Sequence, residues 1–431
     1  MVCKVDPSFA GLCGLCTSKV LVRTKNTNKT IAFFGKCNQP LDVKTVGSLL
    51  YIRKKQTAHK KRIFIREYTL EEIPEKIDPD IWLASVSVFN YERYPDIHMR
   101  NTDIVARLAK VLNALGTACV EEIALMYFEM AACPDIRLNS NKTILCFTKL
   151  LALSNISVSV IQWLGACYDF SQCPNNILLG LYASPNITSL ECLNVLNFTG
   201  VYGLCVTNLA NLKDLNCQLL KNKQVAGALM LKGIRHIMVS REIAQAISEK
   251  SWKELMIRLF LWNTIFPIQR PIHIGSLWLI VDTARELEML QKYQMFTTPH
   301  ISVHELYITN TLAQTLLFPQ VLTSMLGWVS GNLKELTRLT VLPTFNITLE
   351  LKEIIRAQTP IYMKTLPTLQ AIRIGCHTIP IHNPSSPAPS NLITIPNKTI
   401  LSTISQFDPR APLAQSESSL IQSNPDLPSS C

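Results

Sequence analysis

Glycine is scarce in this chain. The 431 residues contain 15 of them, about half the usual share, and none sits in a GxGxxG or GxxxxGK[ST] run that would cradle a phosphate. A nucleotide-dependent enzyme is therefore disfavoured. HExxH and GxSxG are also absent, as is any paired carboxylate that would nominate a general acid and base. Four of the eight histidines (His273, His300, His377, His382) stand in or beside proline-containing loops. With no nucleophile or base to set against them, no catalytic residue is nominated, and the chain is expected not to be an enzyme.

Long uniform apolar runs are missing too. Cys192 to Leu212 and Leu306 to Asn332 carry no charge, but Asn, Thr or Gln interrupts each and Pro319 breaks the second. Neither gives the run of about 20 apolar residues that a bilayer crossing needs, so no membrane partner is expected. The opening "MVCKVDPSFAGLCGLC" holds Asp6 and no continuous apolar segment, unlike a secretory leader. Fourteen cysteines spread over such a length are not a dense disulfide framework. Reduced thiols and a cytoplasmic or nuclear location follow as the expectation. The seven Asn-x-Ser/Thr triplets would be glycosylated only on the secretory route.

Composition divides the chain into three zones. Residues 1–68 form a basic, cysteine-bearing head. Up to Arg66 it holds 14 Lys/Arg against Asp6 and Asp42, whereas the rest of the chain is close to neutral. Residues 69–376 carry a dense apolar periodicity. Residues 377–431 contain nine prolines and eleven serines, a tail with too little apolar density to offset ordering entropy and so expected to be disordered.

The head offers two constellations. Cys13-Gly-Leu-Cys16 is a CxxC knuckle whose spacing lets two thiolates reach one zinc ion at about 2.3 Å. Cys37 and His59 are the partners that would complete a site, and the alternative is a pair of reduced thiols in a small core beside Phe33 and Phe34. Apart from that zinc, no cofactor is expected. The second constellation is "RKKQTAHKKR", residues 53–62, where Arg53, Lys54, Lys55, Lys60, Lys61 and Arg62 crowd together between "LLYI" and "IFI". Such clusters serve as nuclear-import addresses or phosphate contacts. A solvated hairpin joining strands at Leu49–Ile52 and Ile63–Ile65 is the plain alternative.

The middle zone carries an apolar spacing of three, three and two. It occurs at Leu333, Leu336, Leu339 and Val341, then again downstream at Leu366, Leu369, Ile372 and Ile374. Copies of this template end at positions 88, 128, 158, 195, 217, 239, 279, 308, 341 and 374, at irregular intervals. The closing step of two sends neighbouring apolar side chains to one face of an extended strand. Helix-like stretches lie between copies: 102–116, where Asp103 sits at the start and Gly116 at the end; 241–262; 284–294; and 350–359. Strand and helix alternating in this way describe an α/β solenoid.

The segments "LKELTRLTVLP", "LPTLQAIRIGC", "LANLKDLNC" and "ITSLECLNVLNF" resemble the leucine-rich-repeat proteins, especially the irregular arrays of F-box-type substrate receptors. The likeness spans residues 80–376. It implies a curved scaffold whose parallel strands line a concave protein-binding face, with no chemistry of its own. Thr337, Arg338, Thr340, Gln370, Ala371 and Arg373 would then contribute to that face. The competing expectation is a predominantly helical nucleic-acid-binding protein, of nucleocapsid or nuclear type, that uses the basic head.

Overall fold

The computed structural model describes residues 21–22, 27–36, 40–56, 60–91, 101–130, 142–223, 225–234, 237–266, 270–281, 300–310, 318–343, 368–374 and 377–380, with a few further positions between 283 and 289. The chain divides at Pro384, and the unit from Ser385 to Cys431 lies outside the described residues.

Most strands belong to one 14-stranded sheet. The basic head supplies β1 (Leu21–Val22), α1 (Thr27–Gly35), β2 (Val43–Val46), β3 (Leu49–Arg53), β4 (Lys55–Gln56) and β5 (Lys61–Phe64). Then come β6 (Trp82–Phe89), α2 (Asn101–Leu115), β7 (Cys119–Phe128), β8 (Thr143–Ile144), β9 (Phe147–Ile156), α3 (Val158–Cys167) and β10 (Tyr168–Asp169). The centre holds β11 (Leu178–Tyr182), β12 (Gly203–Thr207), α4 (Gln218–Lys221), β13 (Ala228–Lys232), α5 (Arg241–Ser248), β14 (Trp252–Arg258) and α6 (Leu259–Ile265). The C-terminal part adds β15 (Ile272–Val281), β16 (Ile301–Asn310), α7 (Phe318–Asn332), β17 (Leu333–Pro343), β18 (Ala371–Ile374) and β19 (His377–Pro380).

From β6 to β18 each strand of this sheet pairs in parallel with the next, and only β19 turns back antiparallel. The α/β class with parallel strands is thus observed, with the strands in chain order. Pairing register explains the apolar spacing. Val86, Ile123, Leu151, Leu179, Leu204, Leu229, Leu255, Leu277, Leu306, Leu339 and Ile372 stand side by side across eleven strands. None is more than 1% exposed. Two residues further along, Val88, Leu125, Leu153, Leu181 and Val206 form a second ladder, and Ile257, Leu279, Ile308, Val341 and Ile374 form its counterpart in the later strands.

The side those ladders face is settled by chirality. Parallel neighbours visited in one direction and joined by right-handed crossovers put every return segment on the same face. There α2 inserts Ile104, Val105, Leu108, Val111, Leu112 and Leu115, all at most 1% exposed. Phe33, Phe34, Leu41 and Ile52 from the basic head join the same buried core. The Phe33 ring lies 4.9 Å from that of Tyr68, whose hydroxyl donates to the Phe33 carbonyl at 2.7 Å.

A second repeating device closes the strands. Tyr127, Asn155, Ala183, Asn208 and Gly233 have φ of 67°, 49°, 44°, 57° and 65°, one left-handed residue near or just past the end of five neighbouring strands. Tyr127 and Asn155 bend their strands one residue before the last pair, Phe128 with Ile156, while Ala183, Asn208 and Gly233 follow the last strand residue. In two of the latter a further hydrogen-bond rung runs through the turn: Ala183 N donates to Thr207 O at 2.9 Å and Asn208 N to Lys232 O at 2.8 Å. Further along, an ion pair is buried between β14 and the segment after β15. Arg258 Nε donates to Glu286 Oε1 at 3.1 Å and Nη2 to Oε2 at 2.8 Å, while Nη1 reaches the Ile234 carbonyl at 3.1 Å. With its charge-assisted bonds matched in this way, the pair is tolerated inside.

Several expectations need correction. The body is organised around a parallel sheet, not predominantly helical. The apolar template falls on strands at β6, β15, β16, β17 and β18. In β7 and β9 it is out of step, with Ile123/Leu125 and Leu151/Leu153 occupying the ladders. In the centre the matched leucines lie on the return limbs instead: Leu190–Val195 is a 3-10 turn, and Leu209, Leu212 and Leu215 precede α4. These residues still reach the core, at most 1% exposed for Ile187, Leu190, Leu193, Leu209, Leu212 and Leu215, which is why their spacing imitates the strand.

The stretch 102–116 is the helix α2, but 241–262 is not one helix. Its helical period, with Ile243 and Ile247 buried under the Ser240 cap, gives way after Ser248 to a strand with Trp252, Leu255 and Ile257 inward. The hairpin between Leu49–Ile52 and Ile63–Ile65 does not form: β3 pairs with β1 and β2 in a small antiparallel sheet, whereas β5 runs parallel to β6. The helix expected at 350–359 and most of that at 284–294 lie outside the described residues, as does the 377–431 tail apart from His377–Pro380.

Two outcomes follow. Leu336→Asp should abolish cooperative folding, because it places a carboxylate at a fully buried site; an unchanged thermal melt would refute the register. Ala183→Gly should raise stability by up to about 1 kcal/mol, since left-handed backbone costs alanine about 1–2 kcal/mol and the added unfolded-chain entropy offsets only about 0.4–1 kcal/mol. Gly233→Ala should lower it, because the new Cβ would collide with Asn208 Oδ1; urea titrations read both.

Candidate functional site: the open face of the sheet

Side chains that alternate with the ladders point to the face that the crossovers leave uncovered. Its middle is low and closed to solvent. Ala124, Ala152, Gly180, Cys205 and Met230 stand in one row, all of them buried, and the Tyr182 ring folds back over Gly180 so closely that a Cβ there would collide with it. Burial raises the Tyr182 hydroxyl well above its ordinary range, with Cys205 reinforcing the shift.

Towards the C-terminal strands the same row grows tall. Trp278 and Tyr307 are register neighbours, stacked with ring centres 4.0 Å apart and planes inclined by 6°. Two residues earlier along the strands, Ser276 stands between Glu254 and Glu305, with Arg338 beyond. Glu305 is engaged, accepting from Tyr307 Oη at 2.7 Å and pairing with Arg338. Arg338 also approaches His304 Nε2 at 3.3 Å. Glu254 differs: its Oε2 has no hydrogen-bond partner, nor has Trp278 Nε1, and burial pushes its carboxyl above the usual carboxylate range. The Tyr202 hydroxyl is raised in turn, first by its own burial and then by the Glu254 charge. At the other end of the sheet, burial also pushes Glu122 up, although Ser85, Lys60 and Lys149 pull it down. Glu121 next to it accepts from Lys149 Nζ at 2.5 Å.

Arg338 and Arg373 are both exposed on this face, with Arg373 aligned to Thr340 and Arg338 to Ala371. The arginines read from the sequence therefore belong to one surface with an aromatic and carboxylate set that spacing alone does not single out. Trp278 and Tyr307 could be found from the ladder register, since each lies one residue beyond a ladder leucine.

No protein-family model, curated protein or solved structure matches this chain.

The six head cations are spread over β3, β4, β5 and the links between them. Arg53 pairs with Asp42 at 3.0 Å, Lys54 with Asp80 at 3.8 Å, and Lys55 lies 4.6 Å above the Trp82 ring. Lys61 is buried and donates to the Pro40 carbonyl at 2.8 Å, and burial lowers both its pKa and that of Lys60. Arg62 is exposed on β5. Cys13, Cys16, Cys37 and His59, the zinc candidates, lie outside the described residues. Among the described residues no group of three or more His, Cys, Asp or Glu is placed to hold a metal, and no helix is long and apolar enough to cross a membrane.

Glu254 sets a pH signature. A carboxyl whose folded pKa is raised contributes stability below its unfolded pKa and loses that contribution as pH rises through the folded value. Glu254→Gln should therefore melt above the wild type at pH 7, the gap narrowing towards pH 4. A pH-independent gap in paired thermal scans would refute the assignment.

Proposed function

We propose that the chain is an irregular leucine-rich-repeat-like solenoid acting as a non-enzymatic, substrate-receptor-like scaffold, and that it binds a protein partner along the open face of its sheet. The observation that carries this reading is the contrast between the two faces. One is sealed by continuous aliphatic ladders beneath the crossovers, while the other, over its C-terminal strands, sets the half-exposed Trp278, Glu254 and Glu305 and the exposed Arg338 and Arg373 in fixed register. Aromatic and arginine groups on a rigid surface are the usual anchors of protein recognition. A cytosolic or nuclear location accords with it.

Nucleic-acid binding by the basic head has weaker support. Four of the six cations are held by carboxylates, a carbonyl or an indole within the fold, so they do not form the continuous row of available charge that tracks a phosphate backbone.

The test is affinity capture on the intact chain, with and without nuclease, beside an open-face variant, Trp278→Ala. Proteins retained after nuclease and reduced about tenfold by Trp278→Ala, as expected for loss of a buried aromatic anchor, would support the reading. Capture that nuclease abolishes and Trp278→Ala leaves intact would overturn it in favour of nucleic acid.

A further inference from the structure

On the open face Ser276 of β15 is the short member of a row, flanked through direct register pairing by Glu254 on β14 and Glu305 on β16. Strands stand about 4.8 Å apart, so the two glutamates start about two strand spacings apart with only the short serine side chain in the gap between them. Two residues along, the paired rings of Trp278 and Tyr307 wall one end of that gap. The two carboxylates are not equivalent. Glu305 is already neutralised by Arg338 and held by Tyr307, whereas Glu254 Oε2 and Trp278 Nε1 have no hydrogen-bond partner. Lys253, the adjacent residue, is directed elsewhere, with its ammonium 5.6 Å from the centre of the Tyr202 ring.

We propose that the gap over Ser276 is a socket for one lysine or arginine side chain of the protein partner. Glu254 Oε2 is itself shut off from solvent, but the residue as a whole is half-exposed, so the cation would meet the outer edge of its carboxylate while its stem or guanidinium plane lies against the exposed part of Trp278, beside the buried Tyr307 ring. Such a group supplies a charged donor for the Glu254 carboxylate and a cation over an aromatic face. An acidic or phosphorylated side chain would instead add like charge beside an unneutralised carboxylate, and a purely apolar one would leave Glu254 unsatisfied. The socket rests on the open-face reading above and narrows it to a partner with a basic contact residue.

The probe is a displayed library of random linear peptides, selected on the intact wild-type chain and, in parallel, on Glu254→Gln and Trp278→Ala. Thermal melts confirm that each variant remains folded, and Glu254→Asn is the substitute should the glutamine variant fail. The expected result is enrichment of peptides with Lys or Arg at one position, falling about tenfold or more on Glu254→Gln, as loss of a charged hydrogen bond requires. Peptides that depend on Trp278 but show no basic position, or that bind Glu254→Gln equally well, overturn the socket and leave the open-face reading standing. Peptides indifferent to both substitutions, or no enrichment at all, overturn both.

Discussion

Everything in the described fold depends on the lateral register of two aliphatic positions per strand. A parallel sheet buried on one side by crossovers needs apolar side chains at the same height on every strand, because a one-residue slip would turn the whole set outward. The ladder from Val86 to Ile372 meets that demand without interruption, and only Val, Ile and Leu occupy it. Shape variation is passed to the return limbs, which range from a 3-10 turn at Leu190–Val195 to the 15-residue helices α2 and α7. Repeat length can therefore wander while register does not.

That division of labour explains the left-handed residues. A strand held in register must still leave the sheet sharply to begin its crossover, and the turn at its end is where the backbone is free to do so. Five neighbouring strands of the sheet carry one positive-φ residue each near their C-terminal end, past the last strand residue in β11, β12 and β13 and just before it in β7 and β9. Two of these residues, Tyr127 and Ala183, are neither glycine nor asparagine and carry a Cβ that gains nothing from the geometry. Asn208 sits where its side chain would meet any Cβ placed at Gly233. Glycine is scarce in this chain, and the fold uses one of its few where both the backbone conformation and a neighbouring side chain demand it.

The C-terminal third of the fold is legible from spacing alone, because in β15 to β18 the strand itself supplies the matched apolar residues, whereas in β7 and β9 the template slips off the ladders. The central strands are not. "LLGLY", "GLCVT" and "ALMLK" are short and apolar on both faces, so they show no alternation, while the turns after them carry leucines every three residues and satisfy the same template from the opposite side of the core. The stretch 241–262 imitates a single helix for a related reason: its polar residues continue through Lys253 and Glu254 into a strand, and only the change of period at Ser248 marks the boundary. In the site, Arg338 and Arg373 can be read because the adjacent leucines set the strand parity. Glu254 is hidden inside the apparent helix, and the Trp278–Tyr307 stack needs the register between two separate strands, which no local pattern reports.

The segregation of faces also bears on what such a chain can recognise. A ladder of matched register on one side fixes the positions on the other side to within a strand spacing, so residues distant in sequence become lateral neighbours in predictable order. Glu254, Ser276 and Glu305 come from three different strands yet stand in one line because Leu255, Leu277 and Leu306 do. The open face inherits its precision from the core. Register fixes where the Glu254 side chain begins, and its Oε2 is buried there without a hydrogen-bond partner. Placing an unsatisfied group there is costly to the isolated fold and favourable to binding, which is the balance expected of a recognition surface rather than of a core.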